Sequence, residues 1–209
     1  MLHNRNILIL APHTDDGELG CGASIAKYLS EGKQVSYIAF STCSQALPKD
    51  LPSDTLVTEC KAATQALGIS KLIFFDFEVR QLLFHRQNIL EELIRINHQL
   101  KPDAVFLPAK TDIHQDHQVI YAEGLRAFKN SNVLGYELPW NNFQFQPNYF
   151  ERISEEQLSS KQNALEQYRS QSHKKYMEKE FIRSLAVVRG VQGNQGLAEA
   201  FEVYRLGSE

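Results

Sequence analysis

The stretch Ile7–Gly32, ILILAPHTDDGELGCGASIAKYLSEG, decides the reading of this chain. It opens on an apolar run, Ile7-Leu8-Ile9-Leu10-Ala11, which reads as a buried strand. Pro12 stops the strand. His13, Asp15 and Asp16 follow, three groups able to bind a metal or move a proton. Gly17, Gly20 and Gly22 then permit a tight turn and close backbone approach. From Leu19 to Ser30 the pattern is helical, with Ile25 and Leu29 four apart on one face. A strand, a polar turn and a helix in that order begin a βαβ unit, whose ligands sit beyond the carboxyl ends of the strands.

Outward from this stretch the alternation continues. Strands are predicted at Gln34–Ser41, Lys71–Asp76, Ala104–Pro108, Val133–Glu137, Tyr149–Ile153 and Ala200–Leu206. Between them lie helices at Thr55–Leu67 (Asp54 as N-cap, Gly68 closing), Arg86–Leu100, the segment up to Phe128, Glu155–Tyr168 and His173–Val188. Val79–Phe84 reads as a loop or a short helical turn, and Gly190–Gly196 as a Gly-rich turn. Thr42–Asp54 and the aromatic, Asn-rich Leu138–Asn148 are loops long enough to border a site. The pattern predicts an α/β three-layer sandwich with a largely parallel sheet, the late strands as antiparallel additions, and one domain over residues 1–209.

Composition narrows the classes. Apolar residues make up 43% and charged residues 22%, which is ordinary globular usage, and the net charge of -3 offers nothing to nucleic acid or an anionic membrane. No segment is long enough to span a bilayer. The first apolar run is about six residues, against the roughly 7–15 of a secretory core. Cys21, Cys43 and Cys60 are an odd set without CxxC spacing, which argues for a reducing compartment and against a Cys-based metal site. The expectation is a cytoplasmic protein.

Two clusters carry the chemistry, His13-Thr14-Asp15-Asp16 and His114-Gln115-Asp116-His117, each following a predicted strand. If those strands are neighbours, the clusters meet and supply three imidazole or carboxylate ligands with residues to spare, as a catalytic zinc site requires. His114 and His117 point the same way on a helical turn. Bland readings stand beside this one: a His at a strand end caps or packs, paired Asp residues cap a helix, and HxxH arises by chance. The glycines lack the third member of a dinucleotide loop, because Ile25 stands there. No phosphate loop or nucleophile elbow is present.

The stretch from Ala11 to Gly22 resembles the HPDDxxxGxGG signature of the PIG-L/LmbE-like zinc N-deacetylases, with Thr14 in place of Pro and Ala23 in place of a second Gly. Asp112-x-His114-x-Asp116-His117 resembles that family's DxHxDH motif. Weaker similarities extend to Glu59, Ala62-Ala63, Leu67-Gly68, Asp76, Ser170-Gln171 and Ala198–Phe201. The resemblance implies a Rossmann-like α/β/α fold, with zinc or another divalent ion held by His13, Asp16 and His117. It implies Asp15 as general base and His114 as a protonated oxyanion partner and acid. Asp116 would orient an imidazole from behind. The substrate implied is an N-acetylated amino sugar or glycoconjugate, with Arg80, Asp76 and the Trp140–Phe145 loop as candidate contacts. Two alternatives remain, an amidohydrolase of non-sugar acylated amines and a non-enzymatic carbohydrate-binding relic.

Overall fold

The opening apolar run forms β1, Asn6–Ala11, buried at every position after Asn6. A computed structural model describes residues 5–207; residues 1–4 and 208–209, which the expected 1–209 domain includes, lie outside the described residues. After β1 come α1 (Asp16–Ser30), β2 (Gln34–Ala39), α2 (Thr55–Leu67), β3 (Lys71–Phe74), α3 (Arg86–Leu100), β4 (Ala104–Pro108) and α4 (Gln115–Ala127). Then follow β5 (Asn132–Tyr136), β6 (Tyr149–Ile153), α5 (Glu155–Leu165), α6 (Lys179–Gln192) and β7 (Leu197–Arg205). Among the described residues no helix is long and apolar enough to cross a membrane.

The strands make one sheet in the order β3-β2-β1-β4-β5-β7-β6. β1 to β5 are mutually parallel, and β7 runs antiparallel to both β5 and β6. Side chains alternate across each strand, so the sheet needs a cover on both faces. Ile7, Ile9 and Ala11 pack with Leu19 and Ile25 of α1, Cys60 and Ala63 of α2 and Leu158 of α5. Leu8 and Leu10 point the other way, onto Ile89 and Leu93 of α3 and Val119 and Ile120 of α4. These are the three layers of an α/β/α sandwich.

This order places the site. β2 and β3 lie on one side of β1, β4 and β5 on the other, so the sheet changes its direction of growth between β1 and β4. Ile7, Leu8 and Ile9 pair with Ala104, Val105 and Phe106. The turns leaving these two strands separate there, and the cleft between them is where an open α/β sheet binds ligands. Both polar clusters emerge into it.

Several boundaries differ from the expected ones. α1 starts at Asp16 and is broken at Cys21, whose φ and ψ are -146° and 23°. Gly17, Gly20 and Gly22 do not serve a tight turn: none has positive φ. They serve close packing. A Cβ would lie 2.4 Å from the Tyr37 ring at Gly17, 2.3 Å from Tyr136 at Gly20 and 2.9 Å from Lys161 Cγ at Gly22. Asp54 occupies the N-cap position of α2, yet its side chain makes no capping bond. Val79–Phe84 leads into a 3-10 turn at Leu82–His85. α5 ends at Leu165, and the helix expected from His173 begins only at Lys179. The intervening residues are held by tertiary contacts, because Tyr176 stacks on Trp140 at 3.8 Å. Gly190 and Gln192 belong to α6, so the turn is confined to the residues after them; Gly190 lies where a Cβ would be 2.3 Å from Gly196 O.

Candidate active site

His13 leaves the end of β1, and Asp15 and Asp16 open α1. His114 caps α4, accepting the Asp116 backbone N–H on Nδ1 at 3.2 Å, and His117 lies in its first turn. Asp16 folds back on its own turn, its Oδ2 accepting the His13 backbone N–H at 2.8 Å. The same oxygen lies 3.1 Å from His13 Nδ1 and 3.2 Å from His117 Nε2, and those two nitrogens are 3.1 Å apart. Three donors thus form a nearly equilateral triangle. Ligands about 2.0–2.2 Å from a tetrahedral ion stand about 3.3–3.6 Å from one another, so the set fits such an ion with an expansion of a few tenths of an ångström. His114 joins His13 and His117 in a wider set, with one ligand atom of each within 4.8 Å of the others, and this cluster could also hold a metal.

The two candidate imidazole ligands are backed by carboxylates. Asp116 Oδ2 lies 3.1 Å from His13 Nε2, a position from which it can orient that ring. Asp112 Oδ2 lies 2.7 Å from His117 Nδ1, and its Oδ1 accepts the His114 backbone N–H at 2.8 Å. The role of Asp112 was not assigned from sequence, although it is the first letter of the second motif. Asp116 Oδ2 also accepts the Arg80 backbone N–H at 2.6 Å. Arg80 has φ +67°, a conformation a non-glycine residue adopts only when its surroundings impose it. Gln115 Nε2 donates to the Arg80 carbonyl at 2.8 Å and completes the hold.

Charge is distributed unevenly here. Burial favours neutral Asp16, but the His117 and His13 charges outweigh it and hold the carboxyl well below its ordinary value. Burial likewise opposes charge on His117, yet Asp16 and the Asp112 hydrogen bond lift it to about 10. His13 is raised for the same balance of reasons, burial being overcome by Asp16 and Asp116. Asp15 is raised by burial and by the Asp16 charge, with Lys174 and His13 opposing. Burial, and then the charges of His117 and His13, push His114 down to about 4. In the metal-free site this favours an uncharged His114 whose Nδ1 accepts and whose Nε2 carries the N–H.

A cavity of about 400 Å³ opens over these residues. Arg80 and Asn141 line it, as do Trp140 and Tyr176, stacked 12° from parallel. Asp76 lies outside the lining and accepts from Thr42 Oγ1 at 2.8 Å. Phe143, on the same loop as Trp140, is 77% exposed and does not line the cavity. Ser170, Gln171, His173, Lys174 and Tyr176 close the far wall. Ser170 is tied there by Glu59, which accepts both its N–H and its hydroxyl, at 2.8 and 2.6 Å. His173, Lys174 and Tyr176 escaped the sequence reading, because they sit in an irregular segment far from either motif and their pattern continued into the next helix.

Residues 8–128 match the family described as PIG-L, GlcNAc-PI de-N-acetylase. The chain is 29% identical over 177 residues to an uncharacterized deacetylase, YaiS, of Escherichia coli strain K12, across 79% of this chain and 91% of that protein. Its fold is similar to that of N,N'-diacetylchitobiose deacetylase from Pyrococcus horikoshii, with a TM-score of 0.78 and 19% identity over 96% of this chain and 84% of that one. It is also similar to the 4-carboxy-2-hydroxymuconate hydratase GalB of Pseudomonas putida KT2440, with a TM-score of 0.81 and 20% identity over 97% and 98% of the two chains. The family match spans more than half of the chain and contains both polar clusters. On that span, the chain belongs to the PIG-L family of de-N-acetylases.

Proposed function

We propose that this chain is a metal-dependent N-deacetylase that removes the acetyl group from an N-acetylated amino sugar or a conjugate carrying one. The observation that carries the reading is the triangle of Asp16 Oδ2, His13 Nδ1 and His117 Nε2 beside Asp15, a carboxyl of raised proton affinity. His13, Asp16 and His117 would hold a zinc-class ion, a mixed N and O set that other divalent ions also accept. Bound there, such an ion polarises an amide carbonyl and lowers the pKa of water. Asp15 accepts a proton from the attacking water. The His114 Nε2–H donates to the oxygen that gains charge as the carbonyl carbon becomes tetrahedral, a contact worth ~3–4 kcal/mol when well placed. The proton that reaches the departing nitrogen is the one taken by Asp15. The carbon–nitrogen bond then breaks, leaving amine and acetate.

The cavity favours a sugar. The Trp140–Tyr176 stack offers an apolar platform, while Arg80, Lys174, Ser170 and Gln171 offer polar groups around it. A ring with an apolar face and hydroxyl edges suits both surfaces. The shared fold does not choose the reaction, since GalB is a hydratase, so the argument rests on the site. Acetate release should be measured on chelated and metal-reloaded protein, over a panel of N-acetyl amino sugars and small acylated amines. Metal-dependent release from the sugars is expected. Preferential turnover of the simple amines would move the substrate class. No release at full metal occupancy would leave the carbohydrate-binding relic.

A further inference from the structure

α1 carries Asp15 and Asp16 on its first turn, and the break at Cys21 sets that turn apart from the rest of the helix. A straight helix would join the Leu19 carbonyl to the Ala23 amide. Here Lys161 Nζ donates to Leu19 O at 2.7 Å, and Ala23 N donates to Glu199 Oε1 at 3.2 Å. Lys161 and Glu199 are themselves paired at 2.6 Å. A side-chain ion pair therefore stands where one rung of the helical ladder would be, a recognised cause of sharp helix bends. Glu199 Oε2 accepts the next amide, Ser24 N, at 2.7 Å, so one carboxylate caps two amides at the start of the helix's second half.

Everything about the pair is specific to this place. Lys161 is only 3% exposed and Glu199 7%, and each is held by backbone as well as by the other. Gly22 is needed because a Cβ would press on Lys161 Cγ, and Gly20 because a Cβ would strike Tyr136. Lys161 comes from α5 and Glu199 from β7, both outside the residues matched by the family. A buried pair of this kind adds little to stability over an apolar replacement, so its use lies in geometry.

We infer that Lys161 and Glu199 are positioning residues: inserted into α1, they fix the angle at which the Asp15–Asp16 turn meets His13 and His117. The inference rests on the proposed metal set. Its test is the double variant Lys161→Met/Glu199→Leu, which leaves neither charge buried alone. Cooperative melting should persist. Divalent-metal affinity, read by competition with a chelating dye, should weaken by about tenfold or more, as when supporting contacts of a metal site are lost. kcat should fall by a similar factor while KM changes little. Amide shifts of residues 14–20 in the metal-free protein should move.

A second, half-buried pair supplies the contrast. Glu137 is bonded by Arg189 of α6 and, among the described contacts, neither reaches α1, so Glu137→Gln/Arg189→Met should leave metal affinity and those shifts alone. Should the first double variant fail to fold, Glu199→Gln, which keeps an acceptor for Lys161 and Ala23, is compared with the shorter Glu199→Asp. Tighter metal binding by the Gln variant is expected, and equal affinity overturns the inference. Unmoved shifts together with unchanged affinity in the folded double variant also overturn it. Wild-type protein that takes up no metal would instead remove the proposed function, with the amide shifts still deciding the positioning role.

Discussion

Asp112 grips His117 through Nδ1 at 2.7 Å, and this turns the other ring nitrogen, Nε2, toward Asp16 and His13. The carboxylate is 1% exposed and has no other ring to serve. A carboxylate behind a ligating imidazole fixes its orientation and its basicity. Asp112→Asn, nearly the same shape, should weaken metal binding by about 10–100-fold. Competition with a chelating dye measures this, and unchanged affinity would mean that His117 is oriented without Asp112.

Metal uptake should release protons. In the metal-free site His117 is lifted to about 10 and His13 is raised as well, so both imidazoles hold protons that an ion must displace. Affinity should therefore tighten as pH rises across roughly pH 6–9. Calorimetric titration in two buffers of different ionisation enthalpy counts the protons. Identical heats in the two buffers would contradict the charge distribution described above.

Asp15 and His114 should leave separate marks on activity. Asp15 acts as a base only when ionised, and its raised pKa puts the acidic limb of kcat/KM above the ordinary carboxylate value. Asp15→Asn should keep its metal and lose about 10²–10⁴-fold in kcat. Burial and the charges of His117 and His13 push His114 down to about 4 in the metal-free site, and a His114 that stays uncharged in the working enzyme would not titrate on the basic side. His114→Ala should lower the rate while the profile above about pH 6 keeps its shape. A basic limb that vanished in this variant would assign that limb to a protonated His114.

Stability of the metal-free chain should fall with rising pH. Burial raises Glu18 from 4.5 to about 8, against hydrogen bonds from Tyr37 and Tyr168. Between those values the folded state holds a proton that the unfolded chain has lost, so stability declines across that window. His117 acts in the same direction: its contribution is complete below 6.5 and disappears as pH rises through about 10. Asp16 acts oppositely, contributing above 3.8 and losing that contribution as pH falls. Glu18→Gln should raise Tm at about pH 8 and change it by less than about 2 °C at pH 5. Scanning calorimetry with chelator present tests this, and parallel curves would exclude Glu18.

The parts of the fold written as local pattern were legible. β1 and β4 are short apolar runs, and of the α3 face Ile89, Leu93, Ile96 and Leu100 the first three are buried and Leu100, at the helix end, is half-buried. His13, Asp16, Asp116 and His117 could be named because the two polar clusters, each following a strand, resemble the paired motifs of one family. What was not legible depends on meetings between distant segments. Tyr176 finds Trp140 across 36 residues, and Lys161 reaches Leu19 across 142. Neither partner carries a sign of the other in its own neighbourhood. The three glycines after Asp16 look like turn formers, and only the Tyr37, Tyr136 and Lys161 side chains pressed against them give the actual reason.

The three cysteines have a practical consequence. Cys21, Cys43 and Cys60 are free and buried. Burial pushes the Cys43 thiol up to about 12 and raises those of Cys21 and Cys60 as well. Alkylating reagents attack thiolates that they can reach, so the intact molecule offers them very little. Modification then becomes a stopwatch for opening: each thiol reacts only as fast as its surroundings come apart. Cys21 sits at the break in α1 and Cys60 in the middle of α2, so the order in which the two are labelled would tell whether the turn bearing Asp15 and Asp16 loosens before the rest of that layer does.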